Sequence, residues 1–230
     1  IENLSAIPSS VGAAPVQNIG AYGAEAKDAI SVVEYFDTNK LEVVRLKNEE
    51  CSFAYRESVF KHELKGVAII LAVEFELHRT AKPNLGYGDV IKEVEARGGA
   101  TLKNIREAIC AIRASKLPDP KVLGNAGSFF KNPIVGAEVA EALLKEYPEM
   151  PKYPVPNSSD KVKLAAGWLI DKAGLKGYRS GSVGVHERQA LVLVNHGGAT
   201  GNDVIRLSEM VCGAVKAKFG IEISPEVNIL

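Results

Sequence analysis

The sequence has no excess of charge of either sign. Its 230 residues include 28 Lys and Arg against 28 Asp and Glu, so the formal net charge is zero. A general nucleic-acid binder is therefore not expected, because neutralising phosphates requires clustered surplus Lys and Arg. With 46% hydrophobic and 24% charged residues, the composition is that of a globular protein rather than a disordered chain.

Cysteines and long apolar runs are scarce. The three cysteines, Cys51, Cys110 and Cys212, form no CxxC pair, and the four histidines show no metal-ligand spacing. An odd cysteine count argues against a disulfide framework and favours a reducing, cytoplasmic setting. The longest apolar run, residues 67–73, is too short to cross a membrane, and residues 1–24 do not have the pattern that we would expect of a signal peptide.

Several common catalytic signatures are missing. There is no G-x-G-x-x-G, G-x-x-x-x-G-K-[ST], H-E-x-x-H or G-x-S-x-G motif. Without them a classical dinucleotide fold, a P-loop enzyme, a zinc protease and an α/β-hydrolase are all disfavoured.

What is present predicts an α+β protein. Residues 1–24 read as loop or short helical turns, and because the chain begins with Ile1 rather than Met we expect a fragment, made by design or by proteolysis. The first half then predicts a hairpin at 30–36 and 41–46, a mostly buried strand at 66–77, a helix at 89–96 and a helix capped by Thr101 that ends at Ser115, with Leu102 on its apolar face.

The second half mixes strands and helices without a regular βαβ repeat. We predict a long loop at 116–133, helices at 137–145, 160–173 and 202–219, and one strand or a bent pair at 183–194. The domain boundary is placed near Pro118, and Trp168 is expected in the core.

Three segments could carry chemistry. The small-residue loop 13–23 could bring backbone amides close to a phosphate or a flavin edge, or it could be a plain surface loop. The loop 116–133 carries three lysines and Ser128 in a glycine-rich turn, just after Arg113, which suits either a diphosphate site or a solvated basic loop. Arg56 could hold a carboxylate with both arms of its guanidinium, or form a surface ion pair with Glu57.

Five segments together resemble the family of bacterial UDP-N-acetylenolpyruvoylglucosamine reductases. They are residues 1–23, 52–61, 116–133, 163–171 and 224–230, and they occur in the family's order over essentially the whole chain. The loop 84–89 is similar to the extra tyrosine-bearing loop found in one form of the family.

The resemblance implies an FAD enzyme of the vanillyl-alcohol-oxidase type that uses NADPH. Such an enzyme reduces the enolpyruvyl ether of UDP-N-acetylglucosamine to the lactyl ether of UDP-N-acetylmuramate, in peptidoglycan precursor synthesis. It further implies a second lobe of the FAD-binding region at 1–117 with a tyrosine loop near 83–90, a substrate-binding domain at 118–220, and a C-terminal tail at 221–230 that returns to the active site. We expect a cytoplasmic monomer that neither binds nucleic acid nor inserts into a membrane, and no metal.

The resemblance also assigns residues. Arg56 and Glu226 match the family residues that polarise the substrate carboxylate, and Ser128 matches the general acid. The substrate-binding matches are Tyr87, Lys116, Asn132, Tyr153, Lys176 and Gln189. The cofactor-binding matches are Pro8, Ser9, Ser10, Val11, Gly12, Ala13, Pro15, Gln17, Asn18, Gly20, Ala21, Tyr22 and Arg113.

The sequence departs from the family at two places. Ser9 stands where the family usually has Gly, and a position that needs a positive φ would resist serine. The family's N-terminal FAD-binding segment precedes Ile1, so we expect this chain to carry only part of the cofactor site and to be inactive alone.

Two other functions are weighed against this one. The chain could be a non-catalytic UDP-sugar-binding truncation or degenerate relative, but it retains Arg56, Ser128 and Glu226. It could also be another flavin oxidase of the same superfamily, against which the SFFKNP and SPEV segments count.

Overall fold

A computed structural model describes residues 1–156 and 158–229. The chain divides into two compact units, Ile1–Arg113 and Ala114–Leu230, a division within five residues of the expected boundary near Pro118. Strands and helices are mixed without a repeating βαβ pattern, so the α+β class is confirmed. Residue 230, which ends the expected tail at 221–230, lies outside the described residues.

The first unit, with the helix that leads out of it, is built on a three-stranded antiparallel sheet ordered β4–β3–β5. Its elements are β1 (Gly20–Ala21), β2 (Ala24–Glu25), β3 (Ile30–Asp37), β4 (Glu42–Lys47), β5 (Ala68–Phe75), α1 (Val90–Glu95) and α2 (Leu102–Lys116). The predicted hairpin is confirmed as β3 and β4, and β1 pairs with β2 in a small hairpin of its own.

Alternate side chains of β3 face the core of the first unit, which explains why this strand lies at the centre of the sheet. Val33, Tyr35 and Asp37 point to the buried face, and Asp37 is buried because its Oδ1 accepts hydrogen bonds from the N–H groups of Asn39 and Lys40, at 2.9 and 3.0 Å. An aspartate that satisfies the turn's amides in this way fixes where the hairpin reverses.

Two details of the first unit were wrong in the sequence-based prediction. β5 is not mostly buried, because it is an edge strand with one covered face, and Ile69 and Leu71 are each more than half exposed. Leu102, expected on the apolar face of α2, is 55% exposed at the first residue of that helix. The Thr101 cap is confirmed, since its Oγ1 accepts from the N–H of Asn104 at 3.1 Å.

The second unit holds two antiparallel sheets and three helices. The sheets are ordered β7–β9–β8 and β10–β11–β12–β6. The elements are β6 (Gly124–Ser128), β7 (Ile134–Gly136), α3 (Ala137–Glu146), β8 (Lys152–Val155), β9 (Ser158–Leu164), α4 (Ala166–Lys172), β10 (Arg179–Ser180), β11 (Val183–Val185), β12 (Val192–Asn195) and α5 (Gly201–Phe219). The helices at 137–145 and 202–219 and the bent pair at 183–194 are confirmed.

The helix predicted over 160–173 is wrong. Its first part is strand β9, which pairs with both β7 and β8, and the helix α4 begins only at Ala166. The loop predicted over 116–133 is also wrong in part, because β6 pairs with β12 inside it. Neither segment is a strand by composition, and both are held in the extended conformation by pairing: β6 with the remote β12, and β9 with β7 and the directly preceding β8.

Candidate functional site

In the first unit, Arg56 sits at the tip of a tight turn. Ala54 and Glu57 exchange main-chain hydrogen bonds across the turn, at 3.0 and 3.2 Å. Arg56 itself has a φ of +58°, a left-handed conformation that arginine rarely adopts. A strained backbone at a candidate site residue is a feature that functional sites often share.

The Arg56 guanidinium is directed back into its own unit. Its Nη2 donates to the carbonyl of Gly20 at 2.6 Å, and the group lies 5.1 Å from the centre of the Tyr55 ring. Glu57, the ion-pair partner in the plainer interpretation, contacts His62 at 2.8 Å and Lys61 at 3.9 Å. The structure therefore shows a guanidinium that is oriented by Gly20 and Tyr55.

The candidate cofactor residues form the N-terminal face of the first unit. A short 3-10 helix at Val11–Ala13 is followed by the β1–β2 hairpin, and Asn18 and Tyr22 both have positive φ. Ser9 is not among the described residues with positive φ, so serine at this position introduces no backbone strain. A groove of about 660 Å³ runs along this face, and Ser9, Ser10 and Val11 line it.

Arg113 and two tyrosines lie at the same face. Arg113 Nε donates to the carbonyl of Ala6 at 3.2 Å. Burial raises the pKa of the Tyr22 hydroxyl, and the nearby positive charge of Arg113 partly offsets the increase. The Tyr87 ring packs edge-on against Tyr22, with ring centres 6.0 Å apart, and Tyr87 is 42% exposed.

The base of the tyrosine loop is tied down by amides. The buried Asn3 donates to the carbonyls of Tyr22 and Asn84, at 2.7 and 2.9 Å, and Asn84 Nδ2 donates to Gly23 at 2.8 Å. The structure thus joins Tyr87 to the candidate cofactor residues, which the sequence analysis had treated separately.

In the second unit, Ser128 and Glu226 are carried on neighbouring backbones. Ser128 ends β6 opposite Val192, directly after Gly127, whose φ is +72°. The C-terminal tail pairs with the next residues, because Phe130 and Pro225 form an isolated antiparallel bridge. The N–H of Glu226 donates to the carbonyl of Phe129 at 2.7 Å, one residue beyond Ser128.

The two residues after Ser128 anchor this arrangement. Phe129 and Phe130 are buried, with ring centres 5.2 Å apart, and the N–H of Phe129 donates to the carbonyl of Leu191 at 2.7 Å. The main chain of Phe129 is therefore hydrogen-bonded to Leu191, just before β12, on one side and to Glu226 of the tail on the other. A hydroxyl and a carboxyl group are brought to one region of this unit although 98 positions separate them.

Two of the candidate substrate-binding residues meet at the start of α4. Asn132 Oδ1 accepts a hydrogen bond from the N–H of Ala166 at 2.9 Å. Gln189 Oε1 lies 3.4 Å from where a Cβ on Gly167 would be, and it accepts from the N–H of Leu191 at 3.4 Å. Asn132 and Gln189 therefore each use their amide oxygen to accept a main-chain hydrogen bond within the unit.

The remaining candidates are spread over the second unit. Tyr153 lies on β8, where the Lys163 amine is 6.0 Å from its ring centre. Lys176 follows α4 at the end away from Asn132 and pairs with Asp171 at 3.1 Å. Lys116 is the exposed last residue of α2. These three residues lie on different elements: the end of α2, strand β8 and the segment after α4.

Sequence reasoning missed Tyr55, Asn3 and Asn84. Tyr55 stands next to Arg56, so an aromatic side chain beside a candidate cation was a usable signal. Nothing in the sequence marks Asn3 or Asn84, because their roles depend on contacts about 20 and 60–80 positions away.

Other site types are not supported in the part of the chain described. It contains no group of three or more His, Cys, Asp or Glu arranged to hold a metal ion. Across residues 1–156 and 158–229, no helix is both long and apolar enough to span a bilayer. A second cavity of about 440 Å³ lies between the β10–β11 turn and α5, and it includes none of the candidate residues.

Comparisons with known proteins show which proteins this chain resembles. Residues 119–230 match the family model described as UDP-N-acetylenolpyruvoylglucosamine reductase, C-terminal domain. The whole chain is 56% identical to the UDP-N-acetylenolpyruvoylglucosamine reductase of Chromobacterium violaceum and 55% identical to that of Neisseria meningitidis serogroup C, covering 68% and 67% of those proteins.

A solved structure is also similar. The crystal structure of UDP-N-acetylenolpyruvylglucosamine reductase (MurB) from Thermus caldophilus matches 99% of this chain with a TM-score of 0.64 and 25% sequence identity. The match covers 62% of that chain, so the sequence described here spans less than two thirds of the solved protein.

Proposed function

The chain belongs to the UDP-N-acetylenolpyruvoylglucosamine reductase family, and from this premise we propose that it carries the substrate-binding and catalytic part of such a reductase. Its membership makes it an oxidoreductase of peptidoglycan synthesis. The proposed reaction converts UDP-N-acetylglucosamine enolpyruvate to UDP-N-acetylmuramate, with NADPH as the reductant. A nucleotide-linked substrate and NADPH fit a cytoplasmic site of action.

The observation that carries the proposal is the pairing of the C-terminal tail beside Ser128. The Phe130–Pro225 bridge and the Glu226–Phe129 hydrogen bond hold a carboxyl-bearing residue next to a candidate proton donor. The retention of Arg56 as an oriented guanidinium supports the same conclusion.

The residues at the N-terminal face of the first unit fit part of an FAD site. Because the first hydrogen bond of the short helix at Val11–Ala13 is donated by Ala13 to Ser10, the amides before it have no acceptor within that turn. Such amides, with the positive charge of Arg113, suit the phosphates and the pyrimidine edge of a flavin nucleotide. When bound there, FAD would supply the hydride-transfer chemistry between NADPH and the substrate.

The chain's own residues then have distinct roles. Arg56 binds the enolpyruvyl carboxylate and stabilises the negative charge that develops when hydride adds to the methylene carbon. Glu226 assists the same step as a hydrogen-bond donor, because a bare carboxylate would repel that charge. Ser128 gives its hydroxyl proton to the adjacent carbon, which completes the lactyl group. Asn132 and Gln189 present amide donors to the sugar nucleotide, while Tyr87, Lys116, Tyr153 and Lys176 contribute further contacts.

The test separates the two halves of the reaction. In the full-length flavoprotein, Ser128→Ala should leave flavin reduction by NADPH intact and slow flavin reoxidation by the enolpyruvyl substrate by about 10³-fold, because only the second half needs the proton. Stopped-flow absorbance of the flavin measures both steps. Ser180→Ala, a change at an exposed serine of the same unit, is the matched control.

The outcomes distinguish the alternatives. Normal reoxidation in Ser128→Ala removes Ser128 from its role. A wild-type protein that binds UDP-sugars but never reoxidises with the substrate is a binding protein only, and the reductase proposal is then wrong.

A further inference from the structure

Asn18 is a fully buried amide whose side-chain atoms are engaged within the first unit. Its exposure is 0%. Its Nδ2 donates to the carbonyl of Ala54 at 2.9 Å and to Glu25 Oε2 at 3.0 Å, and its Oδ1 accepts from the N–H of Lys27 at 3.0 Å. A buried amide satisfied in this way joins three chain segments at one point.

One of those segments is the turn that carries Arg56. The Ala54 carbonyl accepts from both Asn18 and the N–H of Glu57, so it closes the turn and anchors it at the same time. The strained φ of Arg56 persists only if the surroundings determine the turn. The Asn18 amide is a direct attachment of this turn to the rest of the unit.

The other end of the arginine is fixed two residues along from Asn18. Gly20 accepts the hydrogen bond from Arg56 Nη2, and it does so without a side chain in the way. A Cβ at Gly20 would lie 2.8 Å from Arg56 Nη1, closer than such atoms approach in proteins. Residues 18–20 therefore hold both the base of the turn and the guanidinium at its tip.

We propose that Asn18 is a positioning residue for Arg56, which presets the guanidinium to receive the carboxylate of the substrate. The inference rests on the proposed function, since it assumes that Arg56 binds this carboxylate. Arginine has a long side chain, and a guanidinium already held in place loses less conformational entropy when the carboxylate arrives. The resemblance places Asn18 among the flavin-binding residues, whereas its side chain acts on the substrate side through the turn.

The groups around Asn18 require an amide at this position and disfavour a carboxylate. Glu25 is paired with Lys27 Nζ at 3.1 Å, and it takes one of the two Asn18 donor hydrogens. An aspartate at this position would face the Glu25 carboxylate and the Ala54 carbonyl without a donor. Asn18→Asp is therefore expected to be more disruptive than Asn18→Ala, and Asn18→Ala is the better probe of the role of the amide.

The experiment measures recognition of a carboxylate rather than turnover. In the full-length flavoprotein, isothermal titration gives the dissociation constants of UDP-N-acetylmuramate, which bears the carboxylate, and of UDP-N-acetylglucosamine, which lacks it. The preference for the first should fall about tenfold in Asn18→Ala, as it does in Arg56→Ala, while the affinity for the second changes little.

Two further variants make the result decisive. Gly20→Ala displaces the guanidinium from the other side and should lower the same preference even if Asn18→Ala fails to fold. Asn48→Ala is the matched control, because Asn48 also donates to two carbonyls of this unit, Lys27 and Ile30 at 2.8 and 2.7 Å, but not to the Arg56 turn. Its preference should match the wild type.

Each result counts for or against the inference. An unchanged preference in Asn18→Ala, or in Gly20→Ala when the first variant does not fold, overturns it as long as Arg56→Ala loses the preference. An equal loss in Asn48→Ala also overturns it, because the effect is then one of general stability. A wild-type protein with no preference contradicts the role of Arg56 in the proposed function instead.

Discussion

The two units position their candidate catalytic groups in different ways. In the first, Arg56 is fixed by a strained turn, a buried amide and a glycine that leaves room for its guanidinium. In the second, Ser128 and Glu226 are fixed by main-chain pairing between β6, its neighbour β12 and the C-terminal tail. The first arrangement depends on which side chains surround the turn, and the second depends on hydrogen bonds that almost any residue can make.

This difference predicts different responses to mutation. A side chain held by main-chain pairing can be changed without moving the backbone, so chemistry and stability separate at Ser128 and Glu226. At the Arg56 turn the functional residue is itself the strained one, so chemistry and stability are coupled.

The largest effect tests this coupling at Arg56. Both Arg56→Ala and Arg56→Gly should lower kcat by about 10³-fold, because the carboxylate and the developing charge lose their cation. Arg56→Gly should nevertheless be more stable than Arg56→Ala by about 1 kcal/mol, since glycine adopts a φ of +58° without a steric penalty. Denaturant unfolding and steady-state kinetics measure the two quantities.

Ser52 provides the control for this pair. It has a φ of +49°, so Ser52→Gly should gain a similar free energy of unfolding while turnover stays unchanged. Equal stability of the two Arg56 variants would show that the turn is not strained, and the contrast between the units would then be lost.

A smaller effect is expected at Glu226, where the contrast can be sharpened. Glu226→Gln keeps the N–H that binds the Phe129 carbonyl, so kcat should fall about 10²-fold with no change in stability. Glu226→Pro removes that N–H and should lower both kcat and, by about 1 kcal/mol, the free energy of unfolding.

Either of two results contradicts this assignment. Full turnover in Glu226→Gln would remove the carboxyl group from the chemistry. A Glu226→Pro variant as stable as Glu226→Gln would show that the tail is not held by this hydrogen bond.

The smallest effect is expected at Asn132, whose side chain holds a main-chain N–H and is also proposed to bind the substrate. Asn132→Ala removes the acceptor for the first N–H of α4 and should cost about 1 kcal/mol of stability, together with about tenfold weaker binding of the UDP-sugar. Asn132→Asp keeps the acceptor for the Ala166 N–H but loses the donor NH₂, so it should stay stable and still bind weakly. Thermal unfolding and isothermal titration give the two readouts, and parallel behaviour of both variants would refute the separation.

Local signals determined which elements could be predicted. The hairpin of β3 and β4 carries its own turn residues, and α2 carries its own cap at Thr101. β9 carries no such signal, because Ser158–Leu164 is a charged segment that becomes a strand only between β7 and β8. β6 has the sequence GNAGS, and its extended conformation follows from pairing with β12.

The same distinction applies to the site. Arg56 and Ser128 were singled out from the chemistry of their own segments, whereas Glu226 was found only through the resemblance to a family, and the roles of all three remain predictions. The contact of Asn18 with Ala54 joins positions 36 apart, and that of Glu226 with Phe129 joins positions 97 apart. Chain topology brings such residues together, so spacing within the sequence does not reveal them.

The conformation of Arg56 has a consequence for how this sequence can diverge. Selection for folding alone would favour glycine at position 56, because glycine relieves the backbone strain that arginine imposes there. A descendant that had lost the proposed reaction would therefore be free to exchange this arginine for glycine, losing the Gly20 hydrogen bond but relieving the strain. If Arg56 has the proposed role, its replacement in a relative would be an early sign that the reaction has been abandoned.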